Sequence, residues 1–394
     1  MGQITRVGTG HSKLASARDA LNEALTRASI LPTAPKLGLI FAGPDHDLGA
    51  LLRAAHNRLP DTKLLGSTTA GEFTESGFSH NGVAACLVYG DGLLVESAFS
   101  RELTRGAESC ARNAAEGFAA AEMEARHRGL ATSLSIILLD GLTGAGERFV
   151  AEMLKRTRPF QPMVGGAAGD EGRFRRTLVG SERSAASDAA AVAHVFAQTP
   201  WGIGVGSGLR ATTDRMLVTR ADGNTLHEID GRPAFDVYRD HALGHGVHLT
   251  PENAVPYLIA NELGVYFLDE VSHARAPLAV AHGGALTLAA SIERGASVCI
   301  LDGDPSAMIL AARRAARDAR ESLKGRRVAG ALVFDCVCRG MIMKSDFPRE
   351  IDAVREELGD VPVAGFLTYG EIARYSSKLS GWHNASAVVV AIPE

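Results

Sequence analysis

Short apolar runs of strand length recur along the chain, and stretches with helical periodicity lie between them. The runs span residues 37–41, 83–88, 134–139, 190–196, 328–334 and 386–392. In the intervening stretches, such as residues 12–28 and 106–128, apolar residues three and four positions apart form one stripe of a helix. This alternation predicts an α/β fold in which helices flank the sheets.

A glycine-bounded pattern occurs in both halves of the chain. Residues 66–72 and residues 365–371 both read G-x-x-T-x-G-E, and residues 165–170 form a degenerate copy that is one residue shorter and lacks the threonine. Each copy follows an apolar run and a predicted helix, and each precedes another apolar run. We interpret the recurrence as an internal β-α-β repeat with a further strand.

Glycine spacing adds two expectations about the strands. The Gly-Asp-Gly turn at residues 90–92 separates two apolar runs and predicts an antiparallel hairpin. In residues 202–208 glycine holds every second position, so one face of a strand would be bare and another element would pack closely on it. We therefore expect mixed or largely antiparallel sheets in two related domains, over residues 30–200 and 201–393.

The composition narrows the class of partner. The 394 residues are 46% hydrophobic and 22% charged, and the formal net charge is −4. Without clustered lysine and arginine, nucleic-acid binding is not expected. No apolar run reaches the roughly 18 residues that cross a bilayer, and the N-terminus lacks the layout of a signal peptide. We expect a cytoplasmic protein with no membrane partner.

The cysteines predict reduced, buried thiols rather than disulfides, because the chain has five of them and several lie in apolar runs. Cys336 and Cys338 are one residue apart, which on a strand turns both thiols to one face. Core packing is favoured for this pair over a soft metal, because no second cysteine pair completes a tetrahedral site.

The repeated segments also carry side chains suited to a small ligand. A glutamate beside a glycine turn can pair with an amine, accept from a neighbouring N–H, or anchor the loop. His383 and Asn384 precede the last apolar run and would lie near Glu371 if the two flank one sheet end. The candidate pocket residues are Thr69, Glu72, Thr368, Tyr369, Glu371, His383 and Asn384. No nucleophile accompanies them, so we do not expect an enzyme.

A dense group of histidines lies at His241, His245 and His248, with Gly244 and Gly246 between the imidazoles. The glycines predict a flexible loop rather than a helix face. Imidazole is the usual protein ligand of zinc and haem iron, so the group is a candidate metal site, with His241 as the first choice. The alternative is a surface loop that binds nothing.

Both copies of G-x-x-T-x-G-E, together with His383 and Asn384, closely resemble the FIST proteins, which combine a FIST N and a FIST C domain. The resemblance covers nearly the whole chain and implies a sensory module for a small ligand. Residues 373–375 and 381–385 are further similar to the NosP subgroup, the nitric-oxide-sensing haem proteins of bacteria. That similarity implies haem b on one histidine, with an open axial position for nitric oxide; His11, His194 and His383 are further candidates for the ligand.

On this resemblance we expect a stand-alone sensor that regulates a separate histidine kinase or a cyclic-di-GMP enzyme, either a diguanylate cyclase or a phosphodiesterase. Pairing of two copies as a homodimer is compatible with it. The alternative is a haem-free FIST sensor of a small metabolite such as an amino acid, whose amine pairs with a glutamate of the repeated segments.

Overall fold

The chain contains three copies of one α/β unit, seen in a computed structural model that describes residues 4–158, 160–375 and 381–394. In each copy the order is strand, helix, strand, helix, strand, hairpin, strand. The fourth main strand lies between the first and the second and is antiparallel to both, and the third lies beside the second and parallel to it. The predicted mixed α/β fold with internal repeats is confirmed.

The first two repeats follow each other directly. The first consists of β1 (Arg6–Ser12), α1 (Ala17–Ala28), β2 (Leu37–Ala42), α2 (Leu48–Arg58), β3 (Lys63–Thr68), β4 (Glu72–Thr74), β5 (Gly77–Ser79) and β6 (Val83–Tyr89). The second consists of β7 (Leu93–Arg101), α3 (Leu103–His127), β8 (Thr132–Leu139), α4 (Gly146–Arg156), β9 (Met163–Ala167), β10 (Val179–Ser181), β11 (Ser184–Ala186) and β12 (Ala189–Ala197).

The third repeat is interrupted after its first strand, β13 (Gly202–Gly206), by an inserted domain. The inserted domain consists of β14 (Leu209–Ala211), β15 (Met216–Asp222), β16 (Thr225–Ile229), β17 (Arg232–Pro233), α5 (Ala234–Gly244), α6 (Ala254–Ala260), β18 (Leu263–Phe267), β19 (Glu270–Arg275), β20 (Pro277–Val280), β21 (Leu286–Leu288) and β22 (Ser297–Gly303). The repeat then resumes with α7 (Pro305–Ser322), β23 (Val328–Cys336), α8 (Val337–Met343), α9 (Phe347–Leu358), β24 (Val363–Thr368), β25 (Glu371–Arg374), β26 (Trp382–His383) and β27 (Ala387–Pro393).

The short hairpins are exchanged between the repeats. The β4–β5 hairpin of the first repeat pairs with β24 of the third, and β10–β11 of the second pairs with β3 of the first. The β25–β26 hairpin of the third repeat pairs with β9 of the second. Each repeat therefore lends two strands to one neighbour and receives two from the other, which gives each of the three repeat sheets six strands in the described part of the chain.

The three exchanged sheets share one apolar core. Leu39 of β2, Ile136 of β8 and Leu332 of β23 are fully buried in one cluster. Phe41 and Phe366 approach to 4.7 Å between ring centroids across it. The opposite face of each sheet is covered by its own helices. No described helix combines the length and the apolar character that crossing a membrane requires.

Glycine rows decide how closely the first strand of a repeat meets its helix. As predicted, the glycines of β13 pack on another element, α7: a Cβ added at Gly204 would lie 1.9 Å from Ala315 O. The same device operates in β1, where a Cβ at Gly10 would lie 1.9 Å from Ala24 O of α1. The prediction of a helix over residues 12–28 was wrong at its start, since Ser12 ends a strand and α1 begins after its N-cap, Ser16.

The predicted hairpin around residues 90–92 is also wrong. Strand β6 already pairs with β1 on one side and β2 on the other, so it offers no edge to β7. Strand β7 instead pairs with β12. The Gly-Asp-Gly turn carries the chain from the first sheet to the second.

Candidate ligand-binding site

The three glycine-bounded segments meet in the centre of the molecule. Each follows the third main strand of its repeat, and each bonds to the next in a ring: Ala70 N donates to Leu367 O at 3.0 Å, Tyr369 N to Ala167 O at 3.0 Å, and Gly169 N to Thr68 O at 3.1 Å. We call these segments, residues 68–72, 167–170 and 367–371, the central loops. Their equivalence explains why the sequence pattern recurs.

Glu72 and Glu371 occupy matching environments in two central loops. The Glu72 carboxylate accepts from Thr69 Oγ1, Ser79 Oγ and Gly82 N, each at 2.6 Å. The Glu371 carboxylate accepts from Thr368 Oγ1 at 2.7 Å and from Ser386 Oγ and N at 2.9 and 3.1 Å. In both repeats the glutamate joins its own loop to the residue that precedes the fourth main strand. These contacts are those of a loop anchor.

The two glutamates predict a pH dependence of stability. Burial, partly offset by the hydrogen bonds, raises the pKa of each from 4.5 to about 7. Because the folded pKa exceeds the unfolded one, each stabilising contribution is complete below pH 4.5 and is lost as the pH rises through 7. We expect a decrease in the free energy of unfolding of about 3 kcal/mol per glutamate over that interval. Chemical denaturation across this pH range measures it.

Glu72→Gln and Glu371→Gln are the matched variants for this measurement. Each variant removes one titrating group and keeps the size of the side chain. Each should therefore reduce the pH-dependent change in the free energy of unfolding by the contribution of one glutamate. A pH dependence that is identical in the wild type and both variants would contradict the assignment.

In the second repeat Asp170 takes the place of the glutamate and ties down the loop that follows it. It accepts from Tyr369 Oη at 2.5 Å and from the backbone N–H groups of Phe174, Arg175 and Arg176 at 2.7 to 2.9 Å. Burial opposes its charge, but these donors outweigh burial and hold the Asp170 pKa below its usual value. Phe174 stacks on the Tyr369 ring at 4.8 Å between centroids. Tyr369 is thereby fixed in orientation.

Beside Tyr369, a cavity of about 180 Å³ lies between the repeats and the inserted domain. The wall from the repeats includes Tyr369, Asn384 and the thiols of Cys336 and Cys338. The wall from the inserted domain is mainly apolar, with Ile259 of α6, Leu278 of β20 and other residues of that sheet. The cavity thus has an apolar lining with a few polar groups, as small-molecule sites do.

Asn384 brings to this wall a polar atom that the described residues leave without a hydrogen-bond partner. The residue is 3% exposed, and its Oδ1 is buried without a hydrogen-bond partner among the described residues. An unpaired buried acceptor costs about 1–3 kcal/mol. A donor on a bound ligand would remove that cost.

The structure separates the predicted pocket residues into two groups. Tyr369 and Asn384 line the cavity, whereas Thr69, Glu72, Thr368 and Glu371 are fully buried behind it and are not among its lining residues. His383 pairs with Glu371 in the β25–β26 ladder, as their expected proximity requires, and lines a neighbouring cavity of about 210 Å³ that Asn384 also reaches. Whether these residues bind a ligand stays a prediction.

The histidine group is arranged differently from the predicted loop. Helix α5 runs to Gly244, so His241 lies in its last turn, and His245 is the C-cap. The ring of His241 has a partner at each nitrogen: Tyr257 Oη lies 2.8 Å from Nδ1 and Thr212 Oγ1 lies 3.1 Å from Nε2. His248 lies beyond the helix and is exposed.

Both ring nitrogens of His241 have protein partners, so haem iron could bind there only if one of these contacts were replaced. His194 is engaged at both nitrogens as well, by Ser135 Oγ and Ala114 O at 2.9 Å each. His11 Nε2 lies 2.7 Å from Ser79 Oγ, inside the protein. Among the described residues, no three His, Cys, Asp or Glu side chains are placed to hold a metal ion.

The sequence patterns gave no sign of the inserted domain's contribution to the cavity. Ile259, Leu278 and Leu288 are ordinary apolar residues, and they reach Tyr369 only through the tertiary structure. Cys336 and Cys338 were noted in the sequence, but on the expectation that both thiols lie on one face of a strand. In the structure Cys336 ends β23, and Cys338 lies in the first turn of α8. Both thiols nevertheless border the same cavity.

Comparison with known proteins assigns the family. Residues 36–232 match the FIST N domain and residues 234–374 match the FIST C domain, so the chain belongs to the FIST family. FIST domains are sensory domains of signal transduction. The two matches divide within the inserted domain, between β17 and α5, whereas the second structural repeat ends at Ala197.

The similar curated proteins come from mycobacteria. An uncharacterized protein of Mycobacterium tuberculosis H37Rv is 29% identical over 186 residues, which is 43% of this chain and 45% of the relative. An uncharacterized protein of Mycobacterium bovis is 28% identical over 199 residues, covering 47% and 50%. The chain therefore spans about half the length of the curated relatives it matches.

Proposed function

We propose that the protein is a FIST sensor of a small metabolite that has an apolar body and one hydrogen-bond donor. The observation that carries this proposal is an apolar cavity bordered by Asn384, a buried residue whose Oδ1 has no hydrogen-bond partner among the described residues. An amino acid with an apolar side chain has the right chemistry, because its ammonium group can donate to Asn384 while the side chain lies against Ile259 and Leu278.

The size of the cavity supports a ligand of this class over haem. Its volume of about 180 Å³ is below the roughly 300–1,000 Å³ of sites for drug-sized ligands. A larger cleft of about 520 Å³ at Asp45 and Arg173 is more polar, and these two residues form an ion pair across it at 3.0 Å. The apolar cavity is the better match for a metabolite with an apolar body.

The proposal departs from the expectation that Glu72 or Glu371 takes the amine. Both carboxylates are already surrounded by the protein's own donors, and neither lines the cavity. Asn384 Oδ1, in contrast, is an acceptor without a donor among the described residues. Glutamates of this kind fix the central loops on which Tyr369 lies.

Because the cavity lies between the repeats and the inserted domain, ligand binding there can change how the two parts of the protein are arranged. Near it, Arg275 of the inserted domain pairs with Glu147 of α4 at 2.6 Å, and Ser291 N donates to Glu147 at 3.0 Å. A ligand that contacts both walls would stabilise the arrangement in which both walls fit the ligand, and the population of other arrangements would decrease. In this proposal a separate histidine kinase or a cyclic-di-GMP enzyme responds to that change.

Filling the cavity is expected to abolish ligand binding. Ala289 lines the cavity and is half-buried, so Ala289→Phe introduces a ring into the space that the ligand would occupy. Ala279→Phe is the matched control, because Ala279 lies on β20 in the same sheet but is exposed and outside the cavity. Leucine, methionine, phenylalanine and the corresponding primary amines are the probes, and calorimetric titration measures binding.

A probe that binds should stabilise the wild type and Ala279→Phe by about 3 kcal/mol at a hundred times its Kd, and should leave Ala289→Phe unchanged. Asn384→Leu should weaken binding of the amines specifically. A probe that binds Ala289→Phe as well as it binds the wild type would refute this site.

The haem alternative has its own measurement. A visible absorption spectrum of the reduced, anaerobic protein, taken before and after addition of nitric oxide, would show a Soret band that shifts if haem is bound. We expect no such band after incubation with haem. A shifting band would overturn the metabolite proposal in favour of the nitric-oxide sensor.

A further inference from the structure

We propose that the cavity wall also contains a binding site for Cu(I), formed by Cys336, Cys338 and Met341. All three side chains line the cavity of about 180 Å³. Cys336 is supplied by the end of β23, and the other two lie on α8. This inference rests on the sulfur atoms of the wall and does not require the organic ligand.

The two thiols are neighbours inside the protein. Both cysteines are reduced and at most 3% exposed. Cys336 and Cys338 are close enough for their thiols to interact directly. A single cation can therefore contact both sulfur atoms.

Met341 adds a third sulfur from the same side. It lies three positions after Cys338 on α8, and residues with this spacing share a helix face. Its side chain is 46% exposed, so it lies at the border between the cavity and solvent. A thioether in this place can take a cation from solvent and complete a shell of three sulfurs.

The donor set selects the cation. Thiolate and thioether ligands favour Cu(I), whereas zinc needs further thiolate, imidazole or carboxylate ligands. No three His, Cys, Asp or Glu side chains of the described residues are arranged around a common metal position. A two-thiolate, one-thioether shell is therefore incomplete for Zn(II) but adequate for Cu(I).

Glu262 supports the site from behind. It is completely buried, neither of its carboxyl oxygens has a hydrogen-bond partner among the described residues, and Cys338 lies beside it. When it carries a proton, a carboxyl group in this position can donate a hydrogen bond to the sulfur of Cys338 once that sulfur is a thiolate.

The binding step balances without a redox partner. Two S–H bonds break and their protons leave to solvent, two thiolate sulfurs and the Met341 thioether form bonds to copper, and copper stays in the +1 state. Each bound ion should therefore release two protons.

Anaerobic titration of the reduced full chain with Cu(I), in the presence of a chromophoric Cu(I) chelator as competitor, tests the site. We expect one equivalent per chain, two protons released per ion in weakly buffered solution, and X-ray absorption with sulfur alone in the first shell. Met341→Leu should weaken binding about tenfold, and Cys336→Ser with Cys338→Ser should abolish it. Zn(II) should not compete.

Cys299→Ser is the matched control, because Cys299 is a buried thiol on β22 outside this cavity; it should bind Cu(I) like the wild type. Met341 is half-exposed, so Met341→Leu folds even if the double variant does not. Copper with nitrogen or oxygen neighbours, or affinity unchanged by Met341→Leu, would overturn the proposal. Asn384→Leu removes the amide acceptor and none of the three sulfur ligands, so it reports on the organic ligand separately, and failure of one proposal leaves the other measurable.

Discussion

Replacing Arg339 with methionine is expected to lower the free energy of unfolding by about 3–5 kcal/mol. Arg339 has no exposed surface, and it pairs with Asp335 at 3.0 Å and with both oxygens of Glu350 at 2.8 Å. Its guanidinium also donates to Met308 O at 3.1 Å. One side chain thus joins β23, α7, α8 and α9.

The large effect comes from what the substitution leaves behind. Methionine has a similar volume, so packing changes little, but the carboxyl groups of Asp335 and Glu350 would lose the cation that pairs with them inside the protein. Urea denaturation measures the loss. Arg313→Met, which breaks an exposed pair with Glu356 at 2.7 Å, is the matched control and should change stability little. Equal midpoints for the two variants would show that the buried pair has no special weight.

Gly204→Ala is expected to lower the free energy of unfolding by about 3 kcal/mol, the upper end of the usual range for overpacking, and to reduce the yield of folded protein. The added Cβ would lie 1.9 Å from Ala315 O and 2.7 Å from its carbonyl carbon, so the backbones of β13 and α7 must separate. Helix α7 packs on β13 along its length, and the strand cannot shift because β27 pairs with its whole length. Thermal and urea denaturation report the loss.

Gly244→Ala is the control for this substitution. Gly244 ends α5, and a Cβ there would meet nothing within 4 Å. Alanine at this position should leave the unfolding midpoint nearly unchanged. If Gly204→Ala behaved like Gly244→Ala, the contact between β13 and α7 would have to be looser than the structure shows.

Local patterns in the sequence were sufficient to predict the repeated unit, but they did not predict how the repeats pair with one another. Apolar runs predicted the buried strands, such as β8 and β23, because a strand covered on both faces is apolar throughout. Strand β1 was missed because glycine and polar residues alternate in it, and its bare face packs on α1. The exchange of hairpins involves pairing between residues as far apart as Glu75 and Val363, which no local pattern encodes.

The site shows the same limit. Tyr369 and Asn384 were found through the repeated pattern and the segment that follows it, and both line the cavity. The same pattern also indicated Glu72 and Glu371, which do not line the cavity. They recur because each glutamate anchors the loop that carries the pattern. The apolar wall has no such mark, because Ile259 and Leu278 belong to an insertion without a counterpart in the other repeats.

Exchange of the hairpins also governs when this protein can complete its structure during synthesis. The second sheet lacks its β25–β26 edge until residues 371–383 have been made, although its own strands end at Ala197. Until then β9 exposes unpaired backbone groups, which is a hazard for aggregation. Because the β25–β26 hairpin comes from residues 371–383, the second sheet reaches its native pairing only after those residues have left the ribosome, and partly synthesised chains carry an open sheet edge.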